Sequence, residues 1–235
     1  MTTPLRLMVY DATWQGTKPD QWLLTSSWIA GGLLYRALGR IDAVHGATSW
    51  ADALVWLQSI APGRPIAEVQ YWGHGKWGRV LIGGDRLDRA VLEDQTDPLT
   101  DTIADVRARM TPSSLVWFRT CMTFGTDVGH AFARACAHAF GCRVAGHTYV
   151  VGPLQSGLHS LAPGQEPAWP VDEGVARGDE QSTRWTRAYT WYLNTRDRLL
   201  GRAPKKKSSE PAGLMSSRTA PRTITCLHGA VPDGW

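Results

Sequence analysis

Short β-rich apolar runs alternate with helical stretches through residues 5–151, and few arrangements accommodate that order. The predicted strands are 5–10, 41–45, 66–72, 115–119 and 142–151, the last interrupted at Gly146. The predicted helices are 22–38, 50–60, 97–110 and 127–140, read from apolar residues at helical spacing. Local chemistry supports several boundaries. Ser49 suits an N-cap, Gly39 and Gly141 suit helix ends, and Pro112-Ser113-Ser114 suits a break. Gly31-Gly32 weakens the first helix. Strands separated by helices imply an α/β domain: a three-layer sandwich with a mainly parallel sheet and right-handed crossovers.

Two of these strands run into reactive side chains. Residues 66–72 lead to Gly73-His74-Gly75, and 115–119 lead to Thr120-Cys121. Open α/β sheets hold their chemistry outside the carboxyl ends of the strands. Parallel pairing would therefore bring an imidazole and a thiol to one edge, a candidate for covalent catalysis. His74 lies between two glycines and lacks the apolar neighbours of a core histidine. Cys121 precedes the loop-forming Met122-Thr123-Phe124-Gly125. Residues 77–84 suggest a small hairpin arm just after the histidine.

Other candidates divide between site and scaffold. His147, on the fifth predicted strand, either contacts substrate or satisfies a backbone carbonyl. Trp72 and Trp77 flank His74 and either wall a groove or pack its rim. Trp169 stands in a Gly- and Pro-rich loop, 152–178, of a length that often bears function. Trp28, Trp56 and Trp117 fit apolar faces, His130 and His138 fit a helix surface, and Cys136 and Cys142 read as structural. A zinc site from His74, Cys121 and His147 lacks close ligand pairs and a fourth ligand. No glycine cluster has the spacing of a phosphate-binding loop.

Composition excludes some partners. Of the formal charge of +4, residues 203–235 supply five basic side chains against two acidic ones, a balance of +3, and leave the body near +1. The body has no basic stripe of the kind nucleic-acid binding needs. No apolar run reaches membrane-spanning length, the first residues lack a signal-peptide layout, and no C-x-x-C pair occurs. These features predict a cytoplasmic protein with free thiols. Residues 1–202 read as one domain, with an amphipathic helix at 180–200; residues 203–235 read as a basic, disordered tail.

The order of these pieces resembles the caspase–hemoglobinase group of cysteine peptidases, in particular its bacterial branch. The shared pieces are an apolar strand, Gly73-His74-Gly75, the glycine-rich arm from Gly78 to Gly84, one helix, and an apolar strand ending in Thr120-Cys121. The helix containing Gly129 to Arg134 and the strand Cys142 to Gly146 fit the segments that follow the nucleophile. The likeness covers about residues 5–150. Gly-His-Gly replaces the commoner Ser-His-Gly, and Thr-Cys the commoner Gln-Ala-Cys or Ser-Cys.

The resemblance implies a caspase-like cysteine endopeptidase cutting a protein or peptide substrate without metal or organic cofactor. It implies Cys121 as nucleophile, His74 as general acid/base, and the backbone N–H groups of Gly75 and Cys121 as oxyanion donors. It also places Arg119 at the S1 pocket, where it would favour Asp or Glu at P1. The alternative is that Arg119 pairs with Asp11 or another internal carboxylate. Two further readings of the whole chain are a catalytically inactive interaction module and another thiol hydrolase or acyltransferase.

Overall fold

The computed structural model describes residues 3–13, 19–151, 154–155, 157–177, 214–216 and 224–225. They form an α/β architecture around a six-stranded sheet of order β10-β8-β7-β3-β1-β2. The strands are β1 (Leu5–Asp11), β2 (Ala43–Ala47), β3 (Ile66–Trp72), β7 (Met110–Arg119), β8 (Arg143–His147) and β10 (Leu158–Leu161). All neighbours pair in parallel except β10, which runs antiparallel to β8. Among the described residues no helix is long and apolar enough to cross a membrane.

Side-chain alternation along β1 defines the two faces. Leu5, Leu7 and Val9 enter the main core, while Met8 and Tyr10 point to a second cluster. The main core is closed by α2 (Trp50–Ser59), α4 (Thr100–Ala108) and α5 (Thr126–Phe140) through Leu54, Leu57, Ile103, Val106, Phe132 and Phe140. The opposite face receives α1 (Pro19–Ala37) through Trp28 and Tyr35. Helices on both faces are consistent with a three-layer sandwich. The Gly31-Gly32 pair has a packing role. A Cβ on Gly31 would stand 2.6 Å from Cζ3 of Trp72, and one on Gly32 would stand 3.1 Å from Sδ of Met8. Their cost in helix propensity is the condition for α1 to lie close on the sheet.

Several expected boundaries move, each for a local reason. Strand β7 begins at Met110 rather than 115 because its first residues form a bulge: Ile66 pairs with Met110, and Glu68 next with Leu115. Ser114 closes that bulge, donating to the Ile66 carbonyl at 2.6 Å and accepting the Thr111 N–H at 2.9 Å. Pro112 is accommodated among these extra residues, off the regular ladder. The helix expected at 97–110 is α4, preceded by a short α3 (Arg89–Glu93). Asp97 instead turns the chain, its carboxylate accepting the Leu99 N–H at 2.9 Å. The hairpin arm is three-stranded: β4 (His74–Lys76), β5 (Arg79–Ile82) and β6 (Asp85–Asp88).

Gly146 does not interrupt β8; it lies inside it, where a Cβ would stand 2.7 Å from the Phe124 ring. The expected loop 152–178 supplies β9 (Leu154–Gln155), β10 and β11 (Val175–Arg177). From the tail, β12 (Leu214–Ser216) pairs with β11 and β13 (Ile224–Thr225) pairs with β9. The helix expected at 180–200, Cys226 and the rest of the tail lie outside the described residues.

Arg109 joins α4 to the end of α2. Its guanidinium donates to the carbonyls of Leu57 at 2.5 Å, Gln58 at 2.8 Å, Ile60 at 2.7 Å and Arg64 at 3.0 Å. These carbonyls cluster at the helix C-terminus, where the backbone otherwise lacks donors and a cation is favoured. Replacing Arg109 by Met is expected to lower the free energy of unfolding by about 2 kcal/mol. Urea denaturation of the two proteins measures it.

Candidate active site

Strands β3 and β7 are central, adjacent and parallel, with Trp72 paired to Arg119 at their carboxyl ends. His74 follows two residues after Trp72, and Cys121 two residues after Arg119. Both residues therefore follow the carboxyl ends of neighbouring strands, about 5 Å being the usual strand spacing. Both residues are half-buried.

Contacts beyond the sheet draw the two segments together. A Cβ on Gly75 would stand 2.6 Å from Oγ1 of Thr120 and would also overlap Thr123. The Thr120 and Thr123 hydroxyls hydrogen-bond each other, and both residues are buried. The arm adds a bond from the Gly78 N–H to the Thr123 carbonyl at 3.0 Å. Backbone immediately after His74 thus lies against side chains on both sides of Cys121.

The loop 120–126 is held from several directions. Its N–H groups at Met122, Phe124 and Thr126 donate to Tyr149 (3.0 Å), His147 (3.0 Å) and Val171 (3.1 Å). Met122 adopts φ +59° and Thr126 φ +66°, the left-handed region that costs non-glycine residues roughly 1 kcal/mol or more. Strain directly beside the thiol persists because these bonds over-determine the loop. The Cys121 sulfur accepts the Val151 N–H at 3.4 Å.

His74 meets the edge of the Trp28 ring, with centroids 5.3 Å apart and planes at 77°. Burial holds its pKa below the usual imidazole value, and the charge of Asp11 acts in the opposite direction. A neutral ring at neutral pH is able to accept a proton. The remaining described cysteines differ sharply from Cys121. Cys136 and Cys142 are buried, which pushes the first thiol well up and the second to about 12.

The other expected site residues occupy distinct positions. Arg119 is buried on the α1 face, donating to Gln70 at 2.9 Å and Tyr35 at 3.1 Å. Its guanidinium lies 4.0 Å from the Trp72 ring centroid and 4.5 Å from that of Trp117. Gln70 in turn donates to Glu68 at 2.7 Å. Trp72 belongs to the same cluster, with its indole N–H on Gln70. His147 is fully buried, and its Nε2 takes the Trp117 indole N–H at 3.3 Å. Trp169 is buried against the cysteine loop, donating to the Phe124 carbonyl at 3.0 Å and stacking between Phe124 and His159.

Thr120, Thr123, Trp28 and Asp11 join the site without having been singled out for it. Thr120 adjoins the cysteine in sequence, which was a usable signal. Contacts of Trp28 and Asp11 depend on strand order and had none. No family model, curated protein or solved structure matches the chain.

Proposed function

We propose that the chain is a caspase-like cysteine endopeptidase. The observation carrying this reading is the release of His74 and Cys121 from paired parallel strands, with Gly75 packed against Thr120 and Thr123. In the reaction, the Cys121 S–H proton passes to His74 and the sulfur attacks a peptide carbonyl carbon. The oxyanion is met by the N–H groups of Gly75 and Cys121. Collapse breaks the C–N bond, and His74 returns the proton to the departing amine. Water then cleaves the thioester, with His74 taking its proton and the sulfur leaving as thiolate.

Support comes from the division of labour around the loop. The amides of Met122, Phe124, Gly125 and Thr126 hold the loop's shape, and the contact of Gly75 with Thr120 and Thr123 leaves no room for a side chain there. The test is incubation of the full chain with a proteome-derived peptide library, reading new termini by mass spectrometry. New termini that vanish with Cys121→Ala and with His74→Ala support the reading; an identical pattern from all three proteins removes it.

The same experiment assigns Arg119. Preference for Asp or Glu at P1 puts its charge at the pocket floor. A profile indifferent to P1 charge leaves it the packing role described by Gln70, Tyr35, Trp72 and Trp117.

A further inference from the structure

The proposed mechanism leaves Asp11 unused, although it is a fully buried carboxylate at the carboxyl end of β1. Strand β1 is the other neighbour of β3, and Tyr10 pairs with Trp72. Asp11 and Gly73 are the residues that follow this last pair, and Gly73 immediately precedes the histidine. Its Oδ1 accepts the Thr13 N–H at 3.0 Å and the Thr13 hydroxyl at 2.6 Å, and its Oδ2 accepts the Gly83 N–H at 3.0 Å. Three donors thus converge on its two oxygens.

Gly83 makes the turn between β5 and β6, and β5 pairs with β4 through His74 and Leu81. The arm is pinned again on this side by the Tyr71 hydroxyl, which donates to the Leu81 carbonyl. At Gly83 the φ of +58° and the 2.9 Å approach that a Cβ would make to Oγ1 of Thr13 both call for glycine. Asp11 is thus the link between the end of β1 and the arm whose first residue is His74.

We infer that Asp11 is a positioning residue for His74, holding the arm through Gly83 and setting a negative charge against the imidazole. This rests on the reading of His74 as the proton carrier. Around the ring, α1 packs Trp28 against its edge and β1 contributes the charge of Asp11, while the arm that begins at His74 also carries Lys76 and Arg79. The Asp11 charge opposes the effect of burial on the ring. It therefore favours the protonated state that forms when His74 takes the thiol proton, and it leaves the neutral ring available beforehand.

The experiment is an NMR titration of the full chain labelled at histidine, with the His74 signal identified by its loss in His74→Gln. Asp11→Asn is expected to move the His74 midpoint down by roughly one pH unit. Asp11→Glu, which keeps the charge, is expected to recover part of that shift. An unmoved midpoint in Asp11→Asn, or equal shifts in Asn and Glu variants, overturns the inference. If Asp11→Asn does not fold, Asp11→Ser answers by the same readout. Where cleavage is measurable, kcat should fall at least tenfold with KM little changed. The titration needs no cleavage: a moved midpoint in a chain that cuts nothing would uphold Asp11 and refute the peptidase reading.

Discussion

Replacing Cys121 by Ala is expected to reduce peptide cleavage by about four orders of magnitude or more, with melting temperature nearly unchanged. The size follows from what is removed. On the proposed mechanism no acyl-enzyme forms without the sulfur, and oxyanion donors and binding contacts alone give only a small residue of catalysis. The small effect on stability follows from position. Cys121 is half-buried in a loop whose shape is set by bonds at Met122, Phe124 and Thr126. His74→Ala is expected to cost about 10² to 10⁴-fold, the usual range for a general acid/base. The double variant should be hardly worse than Cys121→Ala, since the two groups act as a unit. Initial rates on one cleaved peptide, with a thermal melt of each variant, measure all four quantities.

Gly75→Val is the second large effect. Its Cβ would fall within 2.6 Å of Thr120 Oγ1, and the added methyls have no space beyond it. Thr120 and Thr123 are 1% and 0% exposed, so neither can swing into solvent to make room. The conflict must be relieved by moving the backbone that carries His74 away from the backbone that carries Cys121. A displacement near 1 Å is enough for a loss of about 10²-fold, and it would also move the Gly75 N–H from the oxyanion position proposed for it. Gly84→Ala is the control on the same arm: nothing lies within 4 Å of its Cβ, and activity should be retained. Wild-type activity in Gly75→Val would show that this contact does not define the site.

The parts of the fold readable in the sequence were those decided by neighbours in the chain. Strand β3 matches its predicted residues because an apolar run ends abruptly at Gly73, and α2 starts where expected because Ser49 accepts the Asp52 N–H at 3.0 Å. Parts decided by distant partners were not readable. Pro112 alone reads as a break, whereas the distant Ile66, with Ser114, builds a bulge around it. Residues 158–161 looked like loop because their pairing with β8 has no signature in their own composition.

The site divides in the same way. His74 and Cys121 read as unusual residues at strand ends, and the strand order sets the ends of those two strands side by side. The alternative partner of Arg119 was expected among the acids. It is instead the amide of Gln70 and the hydroxyl of Tyr35, with Glu68 one step further along the chain of bonds. A neutral residue two positions along β3 from an acid carries no sequence signal of that kind. Asp11 likewise stands just past an expected strand, and its bond to Gly83 emerges only once β1 lies beside β3 and the arm folds back.

Cys121 alkylation by iodoacetamide as a function of pH, resolved by peptide mapping, is the most direct test of the pairing between His74 and Cys121. Cys136 and Cys142, both buried with raised pKa values, serve as internal references. Near neutral pH, Cys121 should react at least 100-fold faster than either, and His74→Ala should slow it at least tenfold while leaving the other two unchanged. A Cys121 rate that is the same with and without the imidazole would contradict the pairing, whatever the strand order suggests.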